Sequence, residues 1–172
     1  MVYLIIVLSV LARFIPHLHN FSPVYGALLF GGAHLRKRNS VWFPVILLVA
    51  SDIVLTNFIY HLNIGWMELF QAAAFGSIAL VGWLLRRRAT KPRFFLATFA
   101  GPTAFYLISN FGVWFGWQSY PRTWAGLVEC YIAGIPYYGR SVASTLLFAA
   151  VFFGGYEFWS SRRALSESHT SG

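Results

Sequence analysis

Apolar residues dominate this chain in long runs, and polar residues fall mostly in the gaps between them. Four runs are long enough to cross a bilayer as helices: 41–63, 66–85, 94–117 and 139–159. Each reaches the roughly 20 residues that a hydrocarbon core requires. Two earlier runs are shorter, 2–15, closed by Pro16, and 22–35. Helices of that length are tolerated in a membrane when other helices or a water-lined cavity shield their ends. The pattern predicts an all-α integral membrane protein, a compact bundle of six transmembrane helices with the first two short. Residues 1–163 make a single transmembrane domain, and the polar end "ALSESHTSG" predicts a disordered cytoplasmic tail over 164–172.

One stretch fits neither span nor loop. In "YPRTWAGLVECYIAGIPYYG", residues 120–139, the middle supports a helix of about three turns that ends near Gly134 and Pro136. That is too short to cross. It predicts a short interfacial or re-entrant helix between helices 5 and 6, over the mouth of the bundle. A plain amphipathic surface helix anchored by Trp124 and Tyr131 fits the same residues.

Composition agrees with the pattern. The chain is 58% hydrophobic and 10% charged, against about 25% charged in an average soluble domain. The N-terminal run lacks a basic flank and a small-residue cleavage site, so it is read as a retained helix rather than a signal peptide. A single cysteine excludes an internal disulfide and any CxxC site. Ala27/Gly31, Ala72/Gly76 and Ala97/Gly101 are small-residue pairs of the kind that lets helices approach closely.

The net charge of +8 matters through its placement. Arg36, Lys37, Arg38, Arg86, Arg87, Arg88, Lys91, Arg93, Arg162 and Arg163 fall on one side of a six-span bundle. Arg13, Arg122 and Arg140 fall on the other. The positive-inside rule then places both termini in the cytoplasm of a multi-pass protein. Parity keeps this orientation for the rest of the chain even if the two short helices do not cross.

With the sides set, most of the non-basic polar residues gather in the outer half. Asp52 lies near the middle of helix 3, with Asn57 and His61 further out. Asn110 and Trp114 lie in the outer half of helix 5, with Trp117 at the mouth. Glu129, Cys130 and Tyr131 belong to the short helix, and Asn20 and Ser22 to the entry of helix 2. Buried polar groups in lipid face a partner or a cavity. Asp52, Asn57, His61, Asn110, Trp114, Trp117, Glu129 and Tyr131 are therefore the candidate substrate-binding residues. Each has a plainer role open to it: a hydrogen bond between helices for Asp52 and the asparagines, an interfacial aromatic belt for the tryptophans and tyrosine. His17 and His19 alone make no metal site, and no metal or catalytic residue is expected. The sequence carries no catalytic triad, zinc signature, P-loop or GxGxxG, so the chain is not read as an enzyme, and no cofactor is specified. There is no nucleic-acid motif. Membrane lipids, partner membrane subunits and a small-molecule ligand are the partners this composition allows.

Four strings together, "RFIPHLHNFSPVYGALLFGGAHL", "LLVASDIVL", "FYLISNFGVW" and "YPRTWAGLVECYIAGIPYY", resemble an uncharacterised bacterial six-helix membrane family described as candidate transport proteins. The resemblance spans nearly the whole chain. More distantly, helix number, size and outer-site layout are similar to the S components of energy-coupling-factor transporters. These capture a vitamin or metal ion from outside and work with a separate ATPase and coupling subunit. The long histidine-led N-terminus of the metal-binding members is missing here. The resemblance implies a substrate-binding subunit for uptake of a vitamin-like small molecule, in the bacterial cytoplasmic (inner) membrane. The alternative is an accessory structural subunit of a respiratory or photosynthetic complex that binds lipid or pigment, with His34 or His61 as a candidate axial ligand.

Overall fold

The computed structural model describes residues 1–15, 20–59, 65–86, 89–117 and 119–170. Six α-helices follow one another: α1 (Val2–Leu11), α2 (Val24–His34), α3 (Lys37–Val54), α4 (Trp66–Val81), α5 (Lys91–Gly116) and α6 (Trp124–Thr170). Short 3₁₀ turns extend α1 over Ala12–Phe14 and α4 over Gly82–Leu85, and a π turn extends α3 over Leu55–Ile59. Four helical stretches are long and apolar enough to cross a membrane: Lys37–Asn57, Trp66–Leu85, Lys91–Gly116 and Trp124–Arg162. α1 and α2 have only 10 and 11 residues. At 1.5 Å per residue each covers about 15 Å, half the depth of a hydrocarbon core.

The two short helices pack on each other, with one face of α1 exposed and α2 at the centre of the bundle. Tyr3, early in α1, takes a hydrogen bond from Asn39, early in α3. Arg13, just past the end of α1, reaches Ser51 and Asp52, late in α3. α2 then returns, and the carbonyl of Leu35 accepts a hydrogen bond from Arg86. α2 is buried from Val24 through Gly32, as a helix that is apolar on every face should be. It touches α1, α3, α4, α5 and α6.

Glycine makes that central position sterically feasible. A Cβ on Gly32 would lie 2.3 Å from the Ala79 carbonyl oxygen, and one on Gly82 would lie 2.5 Å from that of Leu29. α2 and α4 therefore meet backbone to backbone. Gly26 meets the α6 backbone at Ala149 in the same way, at 2.8 Å. Of the small-residue pairs seen in the sequence, Gly31 meets the Ile6 and Leu35 side chains, Gly101 meets Ile78 and Leu29, and Gly76 has loose contacts with Val41 and Val45.

The described basic residues at the helix junctions, Arg36, Lys37, Arg38, Arg86, Lys91, Arg93 and Arg162, share one end of the bundle. The α2–α3 turn is fixed there. Ser40 Oγ accepts from Trp83 Nε1 at 2.9 Å and from Arg86 at 3.2 Å, and Lys37 and Arg86 sit over the Trp83 ring. Arg13 is not a free surface cation. Its guanidinium is folded inward against α3, with a side-chain exposure of 16%.

α6 overturns the expected short helix between helices 5 and 6. Residues 124–135 are the opening turns of one continuous helix that runs through Pro136 to Thr170, about 70 Å at 1.5 Å per residue. It continues through 164–170, the stretch whose composition reads as a tail. The helix begins where Thr123 Oγ1 accepts from the Gly126 N–H, an N-terminal cap. Gly134 is no helix stop. A Cβ there would fall 2.5 Å from Asn110 Oδ1 and 2.9 Å from the Tyr106 ring, so the residue serves the packing of α6 on α5. Pro136 removes one helical hydrogen bond, to the carbonyl of Ile132. α5 braces the helix at that level: Tyr106 donates to the carbonyl of Tyr131 at 2.6 Å, and Tyr138 bonds Thr103 at 2.9 Å. Neighbouring helices commonly stabilise a proline inside a long apolar helix in this way.

Candidate functional site

At the end of the bundle away from the basic clusters, α4, α5 and α6 diverge around a half-open cleft of about 610 Å³. Ligand clefts commonly measure roughly 300–1,000 Å³. It is lined by Met67 and Gln71 of α4, by one face of α5 between Phe105 and Trp117, by one face of α6 that carries Cys130, Gly134 and Tyr138, and by Asn20 at the entry to α2.

Each wall has a local cause. α4 starts on a cap in which the Gly65 N–H donates to Glu68 Oε2 at 2.7 Å, as the acid in the first helical turn predicts. That start sets the register that turns Gln71 to the cleft. The turn joining α5 to α6 is pinned twice. Trp114 Nε1 donates to the Pro121 carbonyl at 2.9 Å. Arg122 donates to the Phe115 carbonyl, with its guanidinium over the Phe115 and Trp114 rings. A cation at a helix C-terminus is well placed against the helix dipole. Asn20 turns the chain into α2 with a φ of 62°, a left-handed conformation that asparagine tolerates better than most residues. Its carbonyl accepts from Ser144 of α6 at 3.5 Å.

Of the residues expected to bind substrate, the cleft brings together Asn110 and Trp117. Asn110 Nδ2 is held by the carbonyl of Tyr106 at 2.8 Å. Trp114 and Tyr131 stand just behind the wall. Trp114 is committed to the α5–α6 turn, and Tyr131 donates to the Leu107 carbonyl at 2.7 Å. Glu129 is exposed and does not line the cleft, while its neighbour Cys130 is buried. The Cys130 thiol donates to the Asn110 carbonyl at 3.4 Å. Asn57 is half-buried in the π turn and does not line the cleft. His61, like His17 and His19, lies outside the described residues.

Asp52 belongs to a separate polar cluster. Its Oδ1 pairs with Arg13 Nη2, Arg13 Nη1 donates to Ser51 Oγ at 2.6 Å, and the guanidinium lies over the Phe75 ring. The two charges neutralise each other where burial is nearly complete, at side-chain exposures of 16% and 12%. Asp52 Oδ2 has no hydrogen-bond partner among the described residues.

Gln71 is one of several lining residues, with Ser109, Tyr106 and Tyr138, that residue-type reasoning passed over. Its Oε1 is buried and has no partner among the described residues. A lone amide one turn inside an apolar helix, just past Glu68, was the available signal. His34 is packed on Phe30, Phe153 and Tyr156, with Nδ1 3.0 Å from the Phe30 carbonyl. Among the described residues no group of three or more His, Cys, Asp or Glu could hold a metal ion.

The fold and site define an all-helical protein with four helices of membrane-crossing character and a polar-lined cleft at one end. The chain belongs to a family of unknown function, DUF6580, whose model matches residues 1–167. Neither a curated protein nor a solved structure matches it.

Proposed function

We propose that this chain is a membrane-embedded small-molecule-binding subunit, and that its cleft receives a substrate for uptake from the outer side of the bacterial cytoplasmic membrane. The cleft between α4, α5 and α6 carries this reading. Its position supports the direction: it opens at the end opposite the basic clusters, and the positive-inside rule puts those clusters in the cytoplasm. The lipid setting is supported by large apolar side chains exposed along the long helices, among them Trp42, Ile46, Leu69, Leu96, Leu107, Ile132, Leu147 and Phe158. Such surface far exceeds what a soluble monomer leaves bare. Transport against a gradient would need an energy-supplying partner, since the chain carries no nucleotide-binding motif.

Native mass spectrometry of the protein extracted from its own membranes tests the binding reading. A stoichiometric small-molecule adduct that is lost when Asn110→Leu is introduced supports it. A bare protein, held in a larger assembly in mild detergent with the cleft empty, would replace it with the accessory-subunit reading. Orientation is tested in whole cells with an impermeant maleimide. On a Cys130→Ser background, a cysteine at Glu129 should label and one at Arg38 should not.

A further inference from the structure

We infer that the cleft selects an uncharged, ring-containing molecule that donates a hydrogen bond to Gln71. This rests on the small-molecule reading above and narrows it to a chemical class.

Charge comes first. Among the described residues that line the cleft, none is Asp, Glu, Lys, Arg or His. Of the charged groups nearby, Arg122 caps α5 over two aromatic rings, Arg140 lies over the Tyr137 ring, and Arg13 and Asp52 pair with each other. A carboxylate or ammonium entering the cleft would leave water without gaining a counter-charge, which is strongly unfavourable.

The hydrogen-bond balance fixes polarity. Gln71 Oε1 is a buried acceptor with no partner among the described residues. Asn110 uses one of its two amide N–H groups on the Tyr106 carbonyl and keeps its Oδ1 as a second acceptor. Cys130 spends its thiol on the carbonyl of Asn110, and Ser141 spends its hydroxyl on that of Tyr137. Gln71 Oε1 is therefore the lining acceptor whose missing hydrogen bond a ligand has to supply. A buried unpaired acceptor is unfavourable by itself and discriminates strongly for a ligand that supplies the missing proton.

Shape comes from the rings. Tyr106 and Tyr138 have their hydroxyls engaged with the Tyr131 carbonyl and with Thr103. What they retain for a ligand is ring surface, joined by Phe105 and Trp117. Aromatic walls favour flat rings in offset or edge contact. The absent side chain of Gly134 keeps the Asn110 amide and the Tyr106 ring in place; an added Cβ would meet both, at 2.5 and 2.9 Å.

The test uses four probes of nearly equal size: 2-naphthamide, its N,N-dimethyl derivative, 2-naphthoate and 2-naphthylmethylammonium. Binding to the full chain in nanodiscs is measured by saturation-transfer NMR. The expected order is 2-naphthamide at least about tenfold tighter than the other three, one hydrogen bond's worth of selectivity. Gln71→Leu should remove that preference. Gln71→Glu should move it to the ammonium probe, and this isosteric variant keeps the test decisive if the leucine variant fails to fold. Equal or tighter binding of 2-naphthoate, or an unchanged order in Gln71→Glu, overturns the inference while leaving the small-molecule reading in place. Absence of binding by all four also overturns it; the adduct seen or not seen by native mass spectrometry then decides the broader reading separately.

Discussion

Neutralising Asp52 should destabilise the protein through Arg13, and removing both charges should undo most of the damage. In Asp52→Asn the Arg13 guanidinium keeps Ser51 and the Phe75 ring but loses its counter-ion. In Arg13→Met the Asp52 carboxylate is left with neither oxygen paired, because Oδ2 already has no partner among the described residues. Breaking a buried pair from one side costs about 3–5 kcal/mol. The residual exposures of 16% and 12% place both single variants near the lower end, about 3 kcal/mol each. The double variant Arg13→Met/Asp52→Asn leaves no buried charge and should cost about 1 kcal/mol or less, since apolar replacement of a whole pair is often neutral. The coupling is then about 5 kcal/mol, well above the tenths expected of independent sites. Unfolding titrations in mixed micelles on all four proteins measure the cycle. Additive losses, with the double variant near 6 kcal/mol, would refute the ion pair as the organising contact between the α1–α2 pair and α3.

Three further outcomes follow from packing and capping. Gly82→Ala places a methyl 2.5 Å from the Leu29 carbonyl oxygen, so overpacking of about 1–3 kcal/mol is expected, read as a lower unfolding temperature with the secondary structure retained. Ser40→Ala strips an acceptor from both Trp83 and Arg86; a loss of about 1–3 kcal/mol is expected, with a shift in tryptophan fluorescence on the same protein. Thr123→Ala removes the cap of α6 and should cost about 1 kcal/mol, with amide exchange faster at residues 124–127 and unchanged at α2.

The helices were largely legible because long apolar runs leave few alternatives. Capping was legible at Glu68, where one acid in a first turn sufficed. Asn110 and Trp117, both expected among the substrate-binding residues, line one cleft. Local punctuation misled where packing overrode it. Gly134 and Pro136 read as a stop, but Gly134 accommodates Asn110, and α5 holds the helix together around Pro136. Arg13 was assigned only to a side of the bundle, by its place at the end of a run. Its true partner lies 39 residues away, a distance no periodicity encodes. Gln71 has a residue type common on any helix; only its burial without a partner distinguishes it.

The burial of α2 has a consequence for how the chain is made. Synthesis delivers α2 ahead of two of the surfaces that enclose it, on α4 around Ala79 and on α6 around Phe148 and Phe153. The innermost helix is thus made before it can be fully covered. Until residue 153 has emerged, its glycine-flattened faces must rest on lipid or on an insertion factor. Chains truncated before α6 should therefore be the ones that cellular quality control removes.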